Sequence, residues 1–339
     1  MKAVMLYEFG SPDQLRYETV VTPVPQKGQV LIKVESASVN FADVMRRRNS
    51  HYPFPTPLPV ILGSEVAGTI ESVGEGVTQW QVGMPVFALV GSGGSSGYAQ
   101  YAVADASQVI PIPPSLSADE ACALVVAGSA ALLIIKEVAR LQPHESIFIP
   151  AASGGFGGYA IQLAKHYHAG KIIAGASTPQ KRQIALANGA DAVVDYTQAN
   201  WSQQVRDITE GRGVDVALEM IGGEMFNQTL DSLAPFGRLI VYGNASSEPL
   251  EMDSERVMRT FYDPSPNQSI HVFNLGLWFG LQPEKAGQAL GELIGLAANG
   301  VLKISVDHKL PLSQANTAHR LLEERKTTGK VVLKPWQDA

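Results

Sequence analysis

Cysteine is almost missing from this 339-residue chain: Cys122 is the only one. A single thiol closes no internal disulfide, so disulfide-stapled secreted scaffolds are excluded and a reducing cytoplasm is the expected compartment. Charge is sparse too. Charged residues make up 17% of the chain and the formal net charge is −6, which excludes a general electrostatic attraction to nucleic acid or to an anionic membrane. The opening Met1-Lys2-Ala3-Val4-Met5-Leu6-Tyr7-Glu8 lacks the apolar core of a signal peptide, because Glu8 interrupts it early. The longest apolar-rich run, Ala121 to Ile135, contains Gly128 and Ser129. It reads as a buried helix, too short to cross a bilayer of about 30 Å. Neither a membrane span nor a nucleic-acid partner is expected.

Hydrophobic residues at 45% supply a sizeable core, and the length favours two domains. The first third carries short β-branched runs, Gln29–Val34, Val66–Val73 and Met84–Val90, broken by Gly and Pro. That texture predicts a mainly antiparallel β domain, with Gly91–Gly97 as a flexible loop in it. From Ser146 the texture changes. Strands are expected at Ser146–Pro150, Lys171–Ala176, Ala192–Asp195, Val214–Leu218 and Arg238–Tyr242, with a sixth at Ser269–Val272. Helical segments separate them, including Tyr159–His168 and Lys181–Asn188, the latter closed by Gly189. Such alternation predicts a parallel sheet covered on both faces. After about Pro283 come a helix, a strand near Leu302–Ile304, a helix near Asn316–Glu324 and the run Lys330–Leu333.

Gly155-Phe156-Gly157-Gly158-Tyr159-Ala160 fits G-x-G-x-x-G/A. The match has weight because it follows a strand, opens a helix and begins a βαβ unit. The first glycine makes the tight turn and the second lets backbone approach a pyrophosphate. The small third position lets helix pack on strand, and helix N-terminal N–H groups face the phosphates. Ser153, Gly154, Gly155, Phe156 and Gly157 are therefore expected to hold a dinucleotide. An acid ending the second strand would bind the ribose 2′-hydroxyl. Here the strand runs Ala174-Gly175-Ala176-Ser177 without one, and Lys181 and Arg182 follow. We expect NADPH, with Ser177, Lys181 and Tyr196 around its 2′-phosphate; a solvated helix face is the plainer reading of the two cations.

At this point the sequence resembles the zinc-independent quinone oxidoreductase branch of the medium-chain dehydrogenase/reductase superfamily. The resemblance runs over nearly the whole chain. It is carried by Met1–Val4, Val39-Asn40-Phe41-Ala42-Asp43, Leu62–Gly68, Val73–Val77, Ala151–Gly158 and Tyr242-Gly243-Asn244. Asn40–Met45 with Phe273-Asn274-Leu275-Gly276 looks most like the VAT-1-type subgroup. The resemblance implies an α/β architecture in which a Rossmann-type parallel-sheet cofactor domain is inserted into a mainly β, GroES-like catalytic domain. The domains would be 1–122 (catalytic, N-terminal part), 123–268 (cofactor-binding) and 269–339 (sixth strand and completion of the catalytic domain). It further implies a cleft for substrate and nicotinamide, and, by analogy, a homodimer joined through edge strands of the cofactor domains.

The departures from zinc-dependent relatives carry chemistry. Those place a cysteine ligand where this chain has Asn40 and a histidine where it has Ser64, and the four-cysteine zinc lobe is missing. An amide and a hydroxyl do not replace zinc donors, so no metal is expected. His166 and His168, two residues apart on a helix, would not face each other and read as a surface helix end. Without a Lewis acid, the plausible acceptors are quinones and α,β-unsaturated carbonyls, whose developing charge needs only hydrogen bonds.

By resemblance, Asn40 lies by the nicotinamide ribose or carboxamide, against an Asx-turn alternative. Asp43 either orients a neighbour or relays a proton, or else simply bonds backbone. Tyr52 either stacks on, or donates a proton to, the acceptor, or packs a loop. Asn40, Asp43 and Tyr52 are the candidate catalytic set. Ser129 is placed at the cofactor edge, with a core helix hydroxyl as its alternative. Asn244 follows a strand end, Phe273 and Leu275 resemble nicotinamide-side residues, and Arg325 and Lys330 align with basic residues near the adenine phosphate. Arg46-Arg47-Arg48 reads as a solvated helix face, or else reaches acidic substrate groups. The loops His51–Pro59 and Glu248–Asn267 would wall the pocket, the second as a mobile lid. Three functions stay open: an NADPH-dependent quinone reductase, an enone or enoyl reductase, and a dinucleotide-binding protein with little turnover.

Overall fold

The β-branched run Gln29–Val39 forms an eleven-residue strand that organises half of the chain. A computed structural model describes residues 1–50, 52–91, 95–252, 254–262 and 266–337, divided into two units. One joins Met1–Ala127 to Ile294–Ala339; the other is Gly128–Leu293. The first contains β1 (Lys2–Leu6), β2 (Leu15–Thr19), β3 (Gln29–Val39), α1 (Phe41–Arg48), β4 (Val60–Ile61), β5 (Glu65–Val73), β6 (Pro85–Leu89), β7 (Tyr101–Asp105) and β8 (Val109–Pro111). Next comes α2 (Ala118–Leu133), within which the chain passes to the second unit. The second unit contains β9 (Ser146–Ile149), α3 (Gly155–His166), β10 (Lys171–Gly175), α4 (Pro179–Ala187), β11 (Ala192–Val194), α5 (Trp201–Ile208), β12 (Val214–Glu219), α6 (Glu224–Asp231) and β13 (Leu233–Val241). It continues through α7 (Ser254–Phe261), β14 (Ser269–Val272), α8 (Leu275–Leu281) and most of α9 (Pro283–Ala298). The chain then returns to the first unit for β15 (Val306–Pro311), α10 (Ala315–Glu323) and β16 (Lys330–Lys334).

In the first unit β5 lies antiparallel along most of β3. On the other side of β3, its first half takes β7 and its last residues take β16. The sheet order is β15-β16-β3-β5-β6-β8, and its pairs are antiparallel except β15 with β16. Its inward residues, among them Val30, Ile32, Val34, Val66, Ile70 and Leu333, form one core. Gly68 is required where β5 crosses β3, since a Cβ there would sit 2.0 Å from Lys33 O.

In the second unit six parallel strands stand in the order β11-β10-β9-β12-β13-β14. Numbered along the unit this is 3-2-1-4-5-6, the Rossmann order, with its switch point between β9 and β12. The strands are apolar runs because both faces are covered; β9 is buried at every residue. Trp201, 0% exposed, stacks on Phe148 at 4.8 Å, and its indole N–H donates to Gln228 Oε1 at 2.6 Å.

Several expectations change. The unit boundaries fall at Ala127/Gly128 and Leu293/Ile294 rather than after residues 122 and 268, because β14 pairs with β13 and keeps the segment after it with the cofactor unit. The apolar helix continues through a π-helical turn, Ile134–Val138. The resulting 21-residue stretch Ala118–Val138 is long and apolar enough to cross a membrane, contrary to expectation, but 72% of its most apolar window is buried as a core helix. The strand expected near Leu302–Ile304 is β15, four residues later. Leu302 is instead a core plug whose N–H caps α9 on Leu296 O. The expected lid Glu248–Asn267 is not a plain loop, because it contains α7. Asp253 and Asp263–Ser265 of that segment, His51, and Ser92–Gly94 of the expected flexible loop lie outside the described residues.

Trp201→Ala removes the largest buried ring of this sheet's core and strands Gln228. We expect it to lower stability by roughly 3–5 kcal/mol, read by denaturant unfolding of the full chain.

Candidate active site

The turn after β9 is built from backbone. Ala151 adopts a left-handed φ of 47°, Ala152 N–H bonds Gly175 O at 3.0 Å, and Gly154 N–H bonds Ala151 O at 3.0 Å. The first i→i−4 bond of α3 runs from Gly158 N–H to Gly154 O at 2.9 Å. The N–H groups of Gly155, Phe156 and Gly157 are therefore not used by the helix and point out of its N-terminus. Gly157 is also required by the turn itself. A Cβ there would lie 2.6 Å from Ala152 Cα and 2.7 Å from Ala151 O, so it is needed for the turn to fold on itself. Phe156 stacks on Tyr242 at 4.2 Å, a pairing that sequence reasoning missed. Ser153 is buried. Ser129, 0% exposed, has a hydroxyl without a hydrogen-bond partner among the described residues. An orphaned buried hydroxyl and three outward N–H groups in one unit fit a phosphate-bearing cofactor.

Beyond β10, Ser177 is half-buried and Thr178 caps α4 by accepting from Lys181 N–H at 3.3 Å. Arg182 is committed elsewhere: it pairs with Asp195 at 2.8 Å and donates to Ala176 O at 3.2 Å. Asp195 also accepts from the hydroxyl of Thr197 at 2.6 Å and its N–H at 3.1 Å, so this acid is occupied. Tyr196 packs over Gly175, where a Cβ would meet its ring at 2.9 Å.

At the ends of β12 and β13, Glu219 is the organiser. Fully buried, its carboxylate accepts from Ile221 N–H (2.6 Å), Gly222 N–H (2.7 Å) and Thr229 hydroxyl (2.8 Å). Burial pushes its acidity down, so its pKa is raised. Asn244 folds over Gly222, accepting from Ser246 hydroxyl at 3.1 Å and donating to Glu248 O at 2.8 Å. Phe273 is buried and stacks on Trp278 at 6.3 Å, and Leu275 opens α8.

In the first unit Asn40 follows β3 and caps α1. Its N–H donates to Asp43 Oδ2 at 2.9 Å while Asp43 N–H returns to Asn40 O at 3.0 Å. The Asn40 side chain is 8% exposed. Its Nδ2 donates to Glu65 Oε1 at 2.9 Å, and its Oδ1 accepts from Lys330 Nζ at 2.6 Å. Lys330 also meets Glu65 Oε1 at 3.2 Å, and Glu65 Oε2 accepts from Val126 N–H at 2.7 Å. This corrects the assignment of Lys330 to a phosphate: at 5% exposed, its ammonium is spent on Asn40 and Glu65. Arg325 lies exposed in the turn after α10, with φ 56°.

Asp43 is fully buried and accepts from Asn40 N–H, Gly63 N–H (3.1 Å) and the Tyr98 hydroxyl. Burial outweighs those bonds and raises its pKa to about 6. Tyr98 continues to His319 Nε2 at 3.1 Å. Burial, with Arg47 nearby, lowers His319 to about 3 and keeps it neutral. Of the arginine run only Arg48 faces solvent. Arg46 and Arg47 are 1% and 0% exposed, and both clamp neighbouring segments. Arg46 holds Ser95 (2.7 Å) and Thr56 (3.2 Å), and Arg47 holds Gly10 O (2.8 Å) and Glu323. Tyr52, half-buried, lies 5.3 Å under the Arg46 guanidinium and edge-on to Phe54. Burial raises the pKa of its hydroxyl.

The donors do not suit zinc. Where a zinc ligand would stand, Asn40 Oδ1 already accepts from an ammonium, which would repel a cation. Among the described residues no three His, Cys, Asp or Glu side chains gather in a metal-binding group. His166 and His168 are both exposed at the end of α3, as expected.

Two family models match: an alcohol dehydrogenase GroES-like domain over residues 26–114 and a zinc-binding dehydrogenase over residues 188–333. A quinone oxidoreductase of Pseudomonas aeruginosa is 30% identical over 98% of this chain and 99% of its own. A 2-haloacrylate reductase of a Burkholderia species is 30% identical over 98% of both chains. A VAT-1 homologue of Danio rerio is 29% identical over 98% of this chain and 69% of its own. Escherichia coli quinone oxidoreductase, solved with NADPH, superposes with a TM-score of 0.88 at 27% identity, covering 99% of this chain and 100% of that one. With its Rossmann-ordered sheet, its GroES-like unit and these relatives, the chain is an oxidoreductase that belongs to the quinone oxidoreductase branch of the medium-chain dehydrogenase/reductase superfamily.

Proposed function

We propose that this protein uses NADPH to reduce a quinone without the help of zinc. The observation that carries the reading is the Asn40 amide, fixed by an ion pair instead of a metal and left with one N–H to donate. Such a donor stabilises charge on a conjugated oxygen but does not replace a Lewis acid for an unactivated carbonyl. NADPH, when bound, supplies the hydride. The Gly155–Gly157 N–H groups hold its pyrophosphate, Ser177, Lys181 and Tyr196 its 2′-phosphate, and Ser129, Asn244, Phe273 and Leu275 its nicotinamide half. Asn40 donates to the acceptor oxygen. Tyr52, kept protonated by burial, delivers the proton that completes a hydroquinone. Asp43 serves by fixing the turn that carries Asn40. Reduction of an α,β-unsaturated carbonyl is the second reading, favoured by the similarity to a 2-haloacrylate reductase; it asks the same of Asn40 and Tyr52. A reducing cytoplasm suits the single buried thiol.

We further propose a homodimer through β14. It is one of the two edges of the sheet, and its Val272 is 80% exposed. Size-exclusion chromatography with light scattering should give twice the chain mass; a monomer at micromolar concentration refutes the dimer.

NADPH oxidation should proceed with phenanthrenequinone, and more slowly or comparably with a small enone. NADH tested in parallel should bind more weakly, and tighter NADH binding would reverse the cofactor assignment. Oxidation with neither acceptor would return the chain to a binding role. Asp43 adds a pH signature. Its raised pKa means that its contribution to stability is complete below about 3.8 and is lost as pH rises through about 6. His319 works in the opposite sense, its contribution complete above 6.5 and lost as pH falls through about 3. In Asp43→Asn the first slope vanishes. The stability of the original chain minus that of the variant should therefore shrink between pH 4 and pH 6, by on the order of 1 kcal/mol per pH unit. Thermal melts of both proteins across that range measure it.

A further inference from the structure

We propose that Glu65 and Lys330 are positioning residues that dictate which end of the Asn40 amide faces the reaction. An amide offers one acceptor oxygen and two donor hydrogens, and in most settings either flip finds partners. Here the choice is forced. Lys330 Nζ has only hydrogens to give, and it sits 2.6 Å from Asn40 Oδ1. Glu65 Oε1 can only accept, and it sits 2.9 Å from Asn40 Nδ2. The reversed flip would put an NH2 against an ammonium and an oxygen against a carboxylate, a double repulsion in a buried site.

The pair is itself immobilised. Glu65 opens β5 and its other oxygen is held by Val126 N–H of α2 at 2.7 Å. Lys330 opens β16, whose register on β3 sets Val331 opposite Val39, next to Asn40. Both charges are nearly inaccessible, at 0% and 5% side-chain exposure, so solvent does not screen them. Among the described residues the second Nδ2 hydrogen has no partner, and its direction is set by two partners on separate strands. A misplacement of about one ångström in a catalytic geometry can cost on the order of a hundredfold in rate.

This inference rests on Asn40 as the donor proposed above, and its test separates the two. Removing one charge strands the other, so the informative variant is the double Lys330→Met/Glu65→Gln, which leaves no unpaired charge; Lys330→Arg is the conservative control. In the double variant kcat for phenanthrenequinone should fall about tenfold or more, with the KM for NADPH changed less than about twofold, while Lys330→Arg recovers most of the rate. Independently of turnover, the Asn40 side-chain amide, assigned in 15N-labelled protein by its loss in Asn40→Ser, should show one strongly hydrogen-bonded, slowly exchanging proton. The double variant should lose that protection. Unchanged kcat, or unchanged Asn40 exchange in a folded double variant, overturns the positioning role. If the original chain reduces neither acceptor, the donor reading fails, and the exchange measurement alone decides whether the pair orients the amide.

Discussion

Everything distinctive about the catalytic unit depends on β16 lying on β3 in one register. Val331, Val332 and Leu333 face Val39, Ser38 and Ala37. Continuing that register brings Lys330 beside Asn40 and Lys334 beside Ser36. Both lysines are used there: Lys330 by Asn40 and Glu65, and Lys334 by Ser36 at 2.8 Å and Asp119 at 2.5 Å. A slip of one residue would turn both ammonium groups to the opposite face of the sheet, taking Lys330 from Glu65 and Lys334 from Asp119, which would keep only Lys309. The strand that arrives last in the sequence therefore completes the site begun by residue 40.

Burying so many ionised groups costs desolvation, and a buried ion pair is poor evidence of net stability. Its persistence makes sense as specification. Glu65–Lys330 and Arg47–Glu323 each join a residue before 70 to one after 320. The buried apolar face already disfavours a slipped register, and these charges add to that cost because a slip would leave them unpaired. Neutral His319 fits the same arrangement: packed near Arg47 and bonded to Tyr98, it stays uncharged because a second cation there would be unpaired.

How legible each part was follows from the range of its interactions. The six parallel strands and the glycine turn were readable because they depend on neighbours in sequence: a buried strand, a helix start, small residues at fixed offsets. Neither the strand positions nor Gly155–Gly157 needed a distant partner to be inferred. Arg46 and Arg47 were misread because a run of three arginines on a short helix ordinarily faces water, and nothing local announces Gly10, Ser95 or Glu323 as partners. Lys330 was misassigned for the same reason. Glu65 and His319 left a faint signal, each a polar residue within an otherwise buried face: Glu65 before Val66-Ala67, and His319 beside Ala315 and Ala318. The segment Glu248–Asn267 read as loop because its Pro, Ser and Asp content masked the short helix Ser254–Phe261, and Leu302 read as strand because a core plug and a strand residue share the same apolar signature.

In the proposed reading the two units recognise their targets in different ways. The cofactor unit offers backbone: N–H groups at a helix start, with glycines where a side chain would collide. The catalytic unit offers a side chain held by other side chains. In a zinc-dependent relative a metal would supply both the positive charge and the geometry. Here the positive charge beside Asn40 is Lys330, which contacts both the amide oxygen and Glu65, so in the proposed reading it orients the amide without reaching the acceptor. The group that would act on the acceptor in that reading is a neutral N–H, worth far less than a Lewis acid. That difference in strength, more than pocket shape, is why the proposed chemistry belongs to acceptors that are electrophilic before they bind.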